Sequence, residues 1–242
     1  MAGSTFLVLT NKLLRRLNEV QLTNTNFPQA RNVQAMAQDA IIAAVAEINV
    51  RESQWPWNKN QGTALADVGT QEFTWPSDPV IPYWDSFRIQ GVPADAIESA
   101  TLTPLTQEEY FKYMRQIDLD SVPNSGLQTP KFVYPVVGGF GVTPMPNKQY
   151  TIKYEYYTIP TDMVAYDDLC AIPTPFDYVI INFALKHYYM YKDNIEQADK
   201  WESAANKSFA DIRNYAVNRP DYMWSNMVNY GGMRWYSDYT KV

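Results

Sequence analysis

The prolines of this 242-residue chain are concentrated in its middle, and their distribution limits what each part can fold into. Most of the 16 prolines lie between Pro76 and Pro175. Proline lacks a backbone N–H and fixes φ, so it is excluded from helix interiors and from the centre of a sheet. The segments before and after carry apolar residues at helical spacing instead. The sequence therefore predicts an α+β protein: N- and C-terminal helix pairs form a helical bundle with an inserted, antiparallel β-sandwich-like region.

Two helices are predicted near the N-terminus. The first covers residues 5 to 18, with Ser4 or Thr5 as its cap. The second is predicted to run from about 28 to 52, with Asn26 as its cap, and its many alanines allow close packing against another helix. The apolar face of the first helix consists of Phe6, Leu9, Leu13, Leu14 and Leu17.

A proline between two tryptophans ends the second helix. Residues 53 to 58 read SQWPWN, and the residue before a proline avoids the helical conformation. Helix ends that meet a second layer need large apolar side chains, which favours a packing role over a ligand-stacking platform. We therefore predict that Trp55, Pro56 and Trp57 form the helix-to-β junction.

The middle of the chain alternates apolar and polar residues with a period of two, which is typical of strands. Strands are predicted in the segments GTQEFTWP, SFRIQG, SATLTPL, KFVYPVV and YTIKYEYYTI. A short helix is expected at 106 to 114, because Thr106 and Glu109 have the spacing of a capping box. We interpret the region as a small sandwich or curled sheet with one helix laid on it.

The glycine-rich segment GGFG, residues 138 to 141, raises the question of a phosphate-binding loop. A dinucleotide-binding fingerprint lies directly between a strand and a helix, whereas GGFG is followed by VTPMP and another strand. The better interpretation is a three-stranded meander that turns at Gly138-Gly139 and again at residues 146–148. The glycines then supply positive φ at a tight turn.

Helical spacing returns after residue 173. One helix is predicted to begin with Thr174 as its cap, and a second one covers 196 to 219. The predicted organisation is a helical bundle of residues 1–53 and 174–220, a β-rich insertion with one short helix at 54–173, and an aromatic C-terminal docking tail at 221–242.

Side chains that usually carry catalysis are scarce. His187 is the one histidine and falls on an apolar helix face, where a packed or interface histidine is expected. Cys170 is the one cysteine and is expected to be buried and inert. No nucleophile motif is present, and the acidic pairs at 118/120 and 167/168 lack the spacing of a calcium loop. We therefore predict no catalytic residues, no metal, no cofactor and no enzymatic activity.

Charge and hydropathy limit the possible partners. The formal net charge is −6, and there is no basic run beyond Arg15-Arg16, which disfavours tight wrapping by nucleic acid. A protein that DNA only slides past would be better served by neutral or acidic walls, because such walls do not hold the strand. No apolar run of about 18 residues indicates a membrane span. Apolar residues precede the charged ones at the N-terminus, the reverse of a signal peptide.

Aromatic side chains are abundant, with 18 Tyr and 7 Trp. Tyr and Trp are enriched at protein interfaces because they bury a large area and keep a polar group. This composition suits an assembly protein, and it also suits a module that binds or hydrolyses carbohydrate. The aromatics are spread over helices, strands and tail rather than over one sheet face, which favours interfaces.

The order of these parts resembles that of the head-to-tail adaptors of short-tailed bacteriophages, also called tail tubular protein A or gatekeeper subunits. The resemblance covers residues 5 to 220. Within the family, the chain looks similar to the members from marine and cyanobacterial podophages. It is carried by the two N-terminal helices, QWPWN, the segment YTIKYEYYTIPTDMVAYDD and the helical segment PTPFDYVIINFALKHYYMYK.

The resemblance implies a structural virion protein. Such adaptors form a homo-oligomeric, dodecameric ring that joins the portal protein to the tail nozzle protein. Double-stranded DNA passes through the channel during packaging and ejection, without sequence-specific binding. The protein is then expected in the portal-proximal tail of the virion, after assembly in the host cytoplasm. The family transfers no active site, and a glycan-binding or glycan-hydrolysing tail module is the alternative.

The C-terminal segment is dense in aromatic and methionine side chains. So much apolar surface on a free tail would favour aggregation. Either the segment folds back on its own subunit, or it docks on a neighbouring subunit or on the portal, as the family resemblance implies. The residues concerned are Tyr222, Met223, Trp224, Met227, Tyr230, Trp235 and Tyr236.

Overall fold

The computed structural model describes residues 3–76, 80–91, 100–115 and 127–216. These residues form two compact units. One, here called the helical unit, contains the described residues up to Trp57 and from Thr161 onward. The other, the β unit, is Asn58–Pro160. The predicted α+β class is confirmed.

The helices and strands of both units are numbered here in chain order. The helices are α1 (Phe6–Arg16), α2 (Val33–Arg51), α3 (Gln107–Glu109), α4 (Asp177–Tyr191) and α5 (Ile195–Ala216). The strands are β1 (Gly3–Thr5), β2 (Lys59–Ala66), β3 (Glu72–Thr74), β4 (Val80–Gly91), β5 (Ala100–Thr101), β6 (Thr103–Pro104), β7 (Phe132–Val136), β8 (Gly139–Thr143), β9 (Tyr150–Thr158) and β10 (Leu169–Pro173). Helix α3 and strands β2 to β9 belong to the β unit.

Helix α1 begins where the sequence predicts. Thr5 is its N-cap, and the Thr5 hydroxyl accepts a hydrogen bond from the Val8 N–H at 3.4 Å. This bond satisfies one of the amides that the first turn leaves free. The predicted first helix and its cap are confirmed, and its buried side chains are Phe6, Leu9, Thr10, Leu13 and Leu14.

Helix α2 begins later than predicted. The expected start near residue 28 with Asn26 as cap is wrong: Phe27–Gln29 is a 3-10 turn, and the helix starts at Val33. Asn32 has φ 49°, which interrupts the helical run, and asparagine tolerates positive φ better than most residues. Phe27 is buried against Phe6, with ring centroids 5.0 Å apart, so tertiary packing holds this segment outside the helix.

Helix α4 is the centre of the helical unit. It packs against α1, α2 and α5, which explains why it is buried on most sides. The predicted cap at Thr174 is wrong: Thr174–Phe176 forms a 3-10 turn whose cap position is Pro173, and α4 starts at Asp177. Helix α5 starts at Ile195, one residue before the predicted start.

A short two-stranded sheet joins distant parts of the helical unit. Strand β1 pairs antiparallel with β10, with Gly3 opposite Pro173 and Thr5 opposite Leu169. The Phe6 N–H then donates to the Asp168 carbonyl at 2.9 Å. Residues 3–6 are thereby fixed against the segment that leads into α4.

The described residues of the β unit form a sandwich of two four-stranded sheets. Their strand orders are β2-β9-β4-β5 and β3-β8-β7-β6. All pairs are antiparallel as predicted, except that β6 pairs parallel with β7. The core between the sheets consists of Ala66, Phe87, Ile89, Leu102, Val133, Phe140, Val142, Tyr150, Ile152 and Tyr154.

The predicted three-stranded meander is half correct. Strands β7 and β8 form the expected hairpin, and Gly138 in its turn has φ +75°. Strand β9 instead lies in the other sheet, between β2 and β4. Strand β3 already pairs with the free edge of β8, with Phe73 opposite Phe140, so β9 cannot pair there. Gly139 lies inside β8 rather than in the turn.

The short helix of the β unit begins with the predicted capping box. The Thr106 hydroxyl accepts from the Glu109 N–H at 3.2 Å, and the Thr106 N–H donates to the Glu109 carboxylate at 2.8 Å. Helix α3 then widens into a π-helical turn, Tyr110–Met114. The Tyr110 ring is stacked on that of Tyr134, with centroids 3.7 Å apart, and this fixes the helix to the sheet.

Candidate functional site

A cluster of charged side chains lies between α2 and α4 and centres on Glu47. The Lys186 ammonium donates to both carboxylate oxygens of Glu47, at 2.8 and 2.9 Å. His187 Nε2 lies 2.7 Å from Glu47 Oε2, and the Arg51 guanidinium lies 2.6 Å from Oε1. Three donors therefore meet one carboxylate. Lys186 is 8% exposed, and a buried ammonium needs such a partner.

The protonation states in this cluster follow from burial and from the neighbouring charges. Burial alone raises the pKa of Glu47, but the Lys186 hydrogen bond and the charges of Lys186, Arg51 and His187 outweigh it and leave the pKa below its usual value. Burial lowers the pKa of His187, and Glu47 offsets this only in part. The imidazole is therefore neutral at pH 7, and Nε2–H donates to the carboxylate, which can only accept.

The same network reaches the last helix. Arg51 donates to the Asn206 side-chain oxygen at 2.6 Å, and its guanidinium lies 4.9 Å from the centre of the Phe183 ring. One residue later in the chain, Glu52 accepts a hydrogen bond from Arg213 at 3.0 Å. The end of α2 is thus tied to both α4 and α5. This arrangement can hold three helices in a fixed register.

The predicted junction residues lie at the end of α2, in the helical unit. The rings of Trp55 and Trp57 are stacked, with centroids 4.6 Å apart, and Trp55 is fully buried. Trp55 Nε1–H donates to the Ile48 carbonyl at 3.2 Å. The Trp55 ring also meets Phe209 of α5 edge to face, at 5.8 Å. Pro56 is exposed. Both tryptophans therefore close the helical core, and the predicted role of the three residues as a junction stays a prediction.

A cationic cleft lies where α1 passes the first turn of α4. Asp177 accepts a hydrogen bond from the buried Ser4 hydroxyl at 2.6 Å and pairs with the Lys12 ammonium. The cleft has a volume of about 390 Å³. Its lining consists of Lys12, Arg15, Arg16, Asp177, Tyr178 and Ile181.

The residues considered for catalysis are held in structural positions. Burial raises the pKa of the Cys170 thiol to about 11, which disfavours the reactive thiolate. Backbone N–H groups of Val164 and Ala165 donate to Asp168 and lower the pKa of its carboxyl, so Asp168 organises its own loop. The acidic pair at 118/120 lies outside the described residues. No group of metal-ligating side chains occurs among the described residues.

One group of aromatic side chains in the β unit packs into its core. Phe87, Phe140 and Tyr154 pack against one another at centroid distances of 5.0 to 5.1 Å, and all three are buried. Trp75 and Trp84, both partly buried, pack against this group. A sugar platform needs an exposed, coplanar row of rings, and these buried rings do not provide one.

Sequence reasoning missed the Glu47 cluster and the cleft beside α1. Lys186 and His187 interrupt a mostly apolar helix, and this was the available signal for a buried acidic partner. Glu47, however, is 139 residues away from Lys186. The predicted docking residues at 221–242 lie outside the described residues. No helix in the described ranges is long and apolar enough to cross a membrane.

The polar clusters described above connect the helices of the helical unit. Residues 4–230 match the model of the SU10 adaptor protein family. The chain therefore belongs to that family, which makes it a phage structural adaptor, a head-tail connector component of the virion, and the family is not one of enzymes. No curated protein matches the sequence.

Proposed function

We propose that this protein forms an adaptor ring that joins the portal protein to the nozzle protein of the phage tail. The ring is a homo-oligomer, with twelve subunits as in the short-tailed phage adaptors that the sequence resembles. The family match over residues 4–230 is the observation that carries this proposal. The protein then acts in the portal-proximal part of the tail, after assembly in the host cytoplasm.

The helical unit suits a part that must keep its shape while DNA passes. Glu47 and Arg51 tie α2 to α4 and α5 through side chains that are only partly accessible to solvent. Buried polar networks of this kind fix one packing arrangement when all their members are satisfied. A ring that transmits force between head and tail needs such fixed subunits.

The charge of the chain suits a DNA channel that does not retain DNA. With a net charge of −6, a ring of these subunits offers little attraction to phosphates. DNA would then move through during packaging and ejection without sequence-specific contacts. The expected binding to free double-stranded DNA at 0.15 M salt is therefore negligible.

The C-terminal segment is proposed to bind the portal. Residues 221–242 carry Tyr222, Trp224 and Trp235, side chains that anchor many interfaces. A chain that ends at residue 220 is expected to keep the helical content of the full chain and to lose portal binding. Undiminished portal binding by that truncated chain would disprove the docking role.

Light scattering tests the adaptor proposal directly. The purified protein is measured alone and after mixing with the portal protein of the same phage. The expected result is a portal complex with many adaptor copies, and native mass spectrometry then counts them. Free adaptor in both samples, at concentrations above 10 μM or so, would overturn the proposal. Bovine serum albumin in place of the portal gives the control for non-specific association.

A further inference from the structure

Three cations form a ridge on one face of α1. Lys12, Arg15 and Arg16 follow the i, i+3, i+4 spacing that places side chains next to one another on a helix. Asp177 neutralises Lys12, but neither Arg15 nor Arg16 forms an ion pair with a carboxylate among the described residues. Both arginines are exposed and line the cleft of about 390 Å³.

The floor of this cleft fits a carboxylate on an aliphatic stem. Tyr178 is 45% exposed, and it lines the cleft together with Ile181. An arginine guanidinium binds a carboxylate through two parallel N–H groups, and the stem of a glutamate can lie on an aromatic ring. A phosphate backbone would use the cations and leave the apolar floor empty.

A matching acidic row occurs on α5. Glu196, Asp199 and Glu202 follow one another at intervals of three residues, which places them along one side of the first two turns. Glu196 and Asp199 are exposed, and none of the three forms an ion pair within the described part of the chain. Lys200 is also exposed on this helix and limits the row on one side.

The two charged rows form no ion pair with each other among the described residues. The cationic ridge lies beside Tyr178 in the first turn of α4, whereas α5 begins only after the last residue of α4, Tyr191. At about 1.5 Å of rise per residue, these two ends of α4 are about 20 Å apart.

We propose that the cationic ridge of one subunit binds the acidic row of a second copy of this chain. The contact joins two different surfaces, so it is head-to-tail and can close into a ring. Subunits with a net charge of −6 repel one another, and a local basic ridge reverses this repulsion at the contact. The inference rests on the proposed ring and identifies the surfaces that build it.

Charge reversal on the full-length chain tests this contact. The variants are R15E/R16E, E196R/D199R, and all four substitutions together. Each double variant is expected to raise the adaptor concentration needed for half-maximal assembly on the portal at least tenfold. The fourfold variant exchanges the two charges and is expected to recover assembly to within threefold of the unchanged chain. Circular dichroism establishes that each variant is folded.

A control variant separates the contact from net charge. R31E/K131E changes the charge by the same amount as R15E/R16E, at two exposed positions that belong to neither row, and should leave assembly unchanged. If R15E/R16E assembles normally, or if the fourfold variant stays as defective as the double variants, the inference is overturned. Defective assembly of the variant with all four substitutions would instead indicate that the ridge binds the portal or DNA.

Failure of the proposed function gives a different pattern. If the unchanged chain does not assemble on the portal, its self-association alone is measured by sedimentation at high protein concentration with the same variants. Loss of self-association in both double variants and its return in the fourfold variant would support the contact without the portal role. Self-association that is the same in every variant would overturn the contact as well, and so would a complete absence of self-association.

Discussion

The Lys186 ammonium lies 2.8 Å from Glu47 Oε1 and 2.9 Å from Oε2, although 139 residues separate the two in the chain. The lysine side chain is 10% exposed and the glutamate side chain 20%. In such surroundings the pair acts mainly as a constraint on packing, because removing one charge leaves the other buried without compensation. The pair therefore fixes how α2 packs on α4.

Neutralising Glu47 is expected to destabilise the helical unit. Glu47→Gln keeps the size of the side chain but leaves the Lys186 charge unpaired, and the free energy of unfolding should fall by about 3 kcal/mol. Urea denaturation followed by circular dichroism measures this. Asp162→Asn, at an exposed loop position, is the control and should change the stability by less than about 0.5 kcal/mol.

The double variant E47Q/K186M tests whether the cost comes from the unpaired charge. Methionine removes the ammonium that E47Q leaves without a partner, so the double variant should be more stable than E47Q alone. Strictly additive losses in the two single variants and the double variant would contradict this account of the cluster.

His187 should make stability depend on pH below its ordinary pKa of 6.5. Burial lowers the pKa in the folded chain, so the unfolded chain binds a proton first as the pH falls. The stabilisation is present above pH 6.5 and is lost as the pH falls through the lower, folded pKa. Urea denaturation at pH 7.5 and pH 5.5 should show a clear loss at the lower pH.

The variant His187→Gln is the control for that pH dependence. His187 is the one histidine of the chain, so its replacement should flatten stability between pH 7.5 and 5.5. Glu47 also has a lowered pKa, but from an ordinary value of 4.5, so its titration falls below this window. An equally steep loss in His187→Gln would exclude His187 as the cause.

Local signals in the sequence were enough to predict several elements. The cap of α1 at Thr5 and the capping box of Thr106 and Glu109 each depend on residues at most three positions apart. The apolar faces of α1 and α5 follow the helical period, so these helices were predicted to within a few residues. The sandwich was also predictable from a local signal, because the dense prolines in the middle of the chain exclude long helices.

Long-range packing decided what the sequence could not show. The start of α2 depends on Phe27 packing against Phe6, and the position of β9 depends on β3 taking the free edge of β8. The Glu47 cluster joins residues that only the fold brings together. Periodicity reports which side of an element is buried, but it does not report which partner covers that side.

Among the aromatic side chains of the helical core, Trp55 is expected to contribute most to the free energy of unfolding. It is fully buried, it is stacked on Trp57, and its ring N–H is bonded to the Ile48 carbonyl. Trp55→Ala should lower the free energy of unfolding by about 4 kcal/mol. Tyr215→Ala removes a ring that is 79% exposed and should cost less than about 1 kcal/mol. Similar urea midpoints for the two variants would refute the packing role.

The adjacent glycines of the β7–β8 hairpin should respond differently to alanine. A Cβ on Gly139 would lie 1.8 Å from the Phe73 carbonyl oxygen, so β3 would have to move away from β8. A Cβ on Gly138 meets nothing within 4 Å, and only the positive φ of +75° opposes it. We expect Gly139→Ala to cost about 3 kcal/mol and Gly138→Ala about 1 kcal/mol.

Hydrogen exchange distinguishes these two variants, because a chain with two units need not unfold in one step. In Gly139→Ala, amide protection should fall in β3 and β8 together, since each supplies the other's hydrogen-bond partners. In Gly138→Ala, the loss should be confined to the turn between β7 and β8. Equal protection of β3 in both variants would show that the close approach of Gly139 to Phe73 does not determine the pairing of these strands.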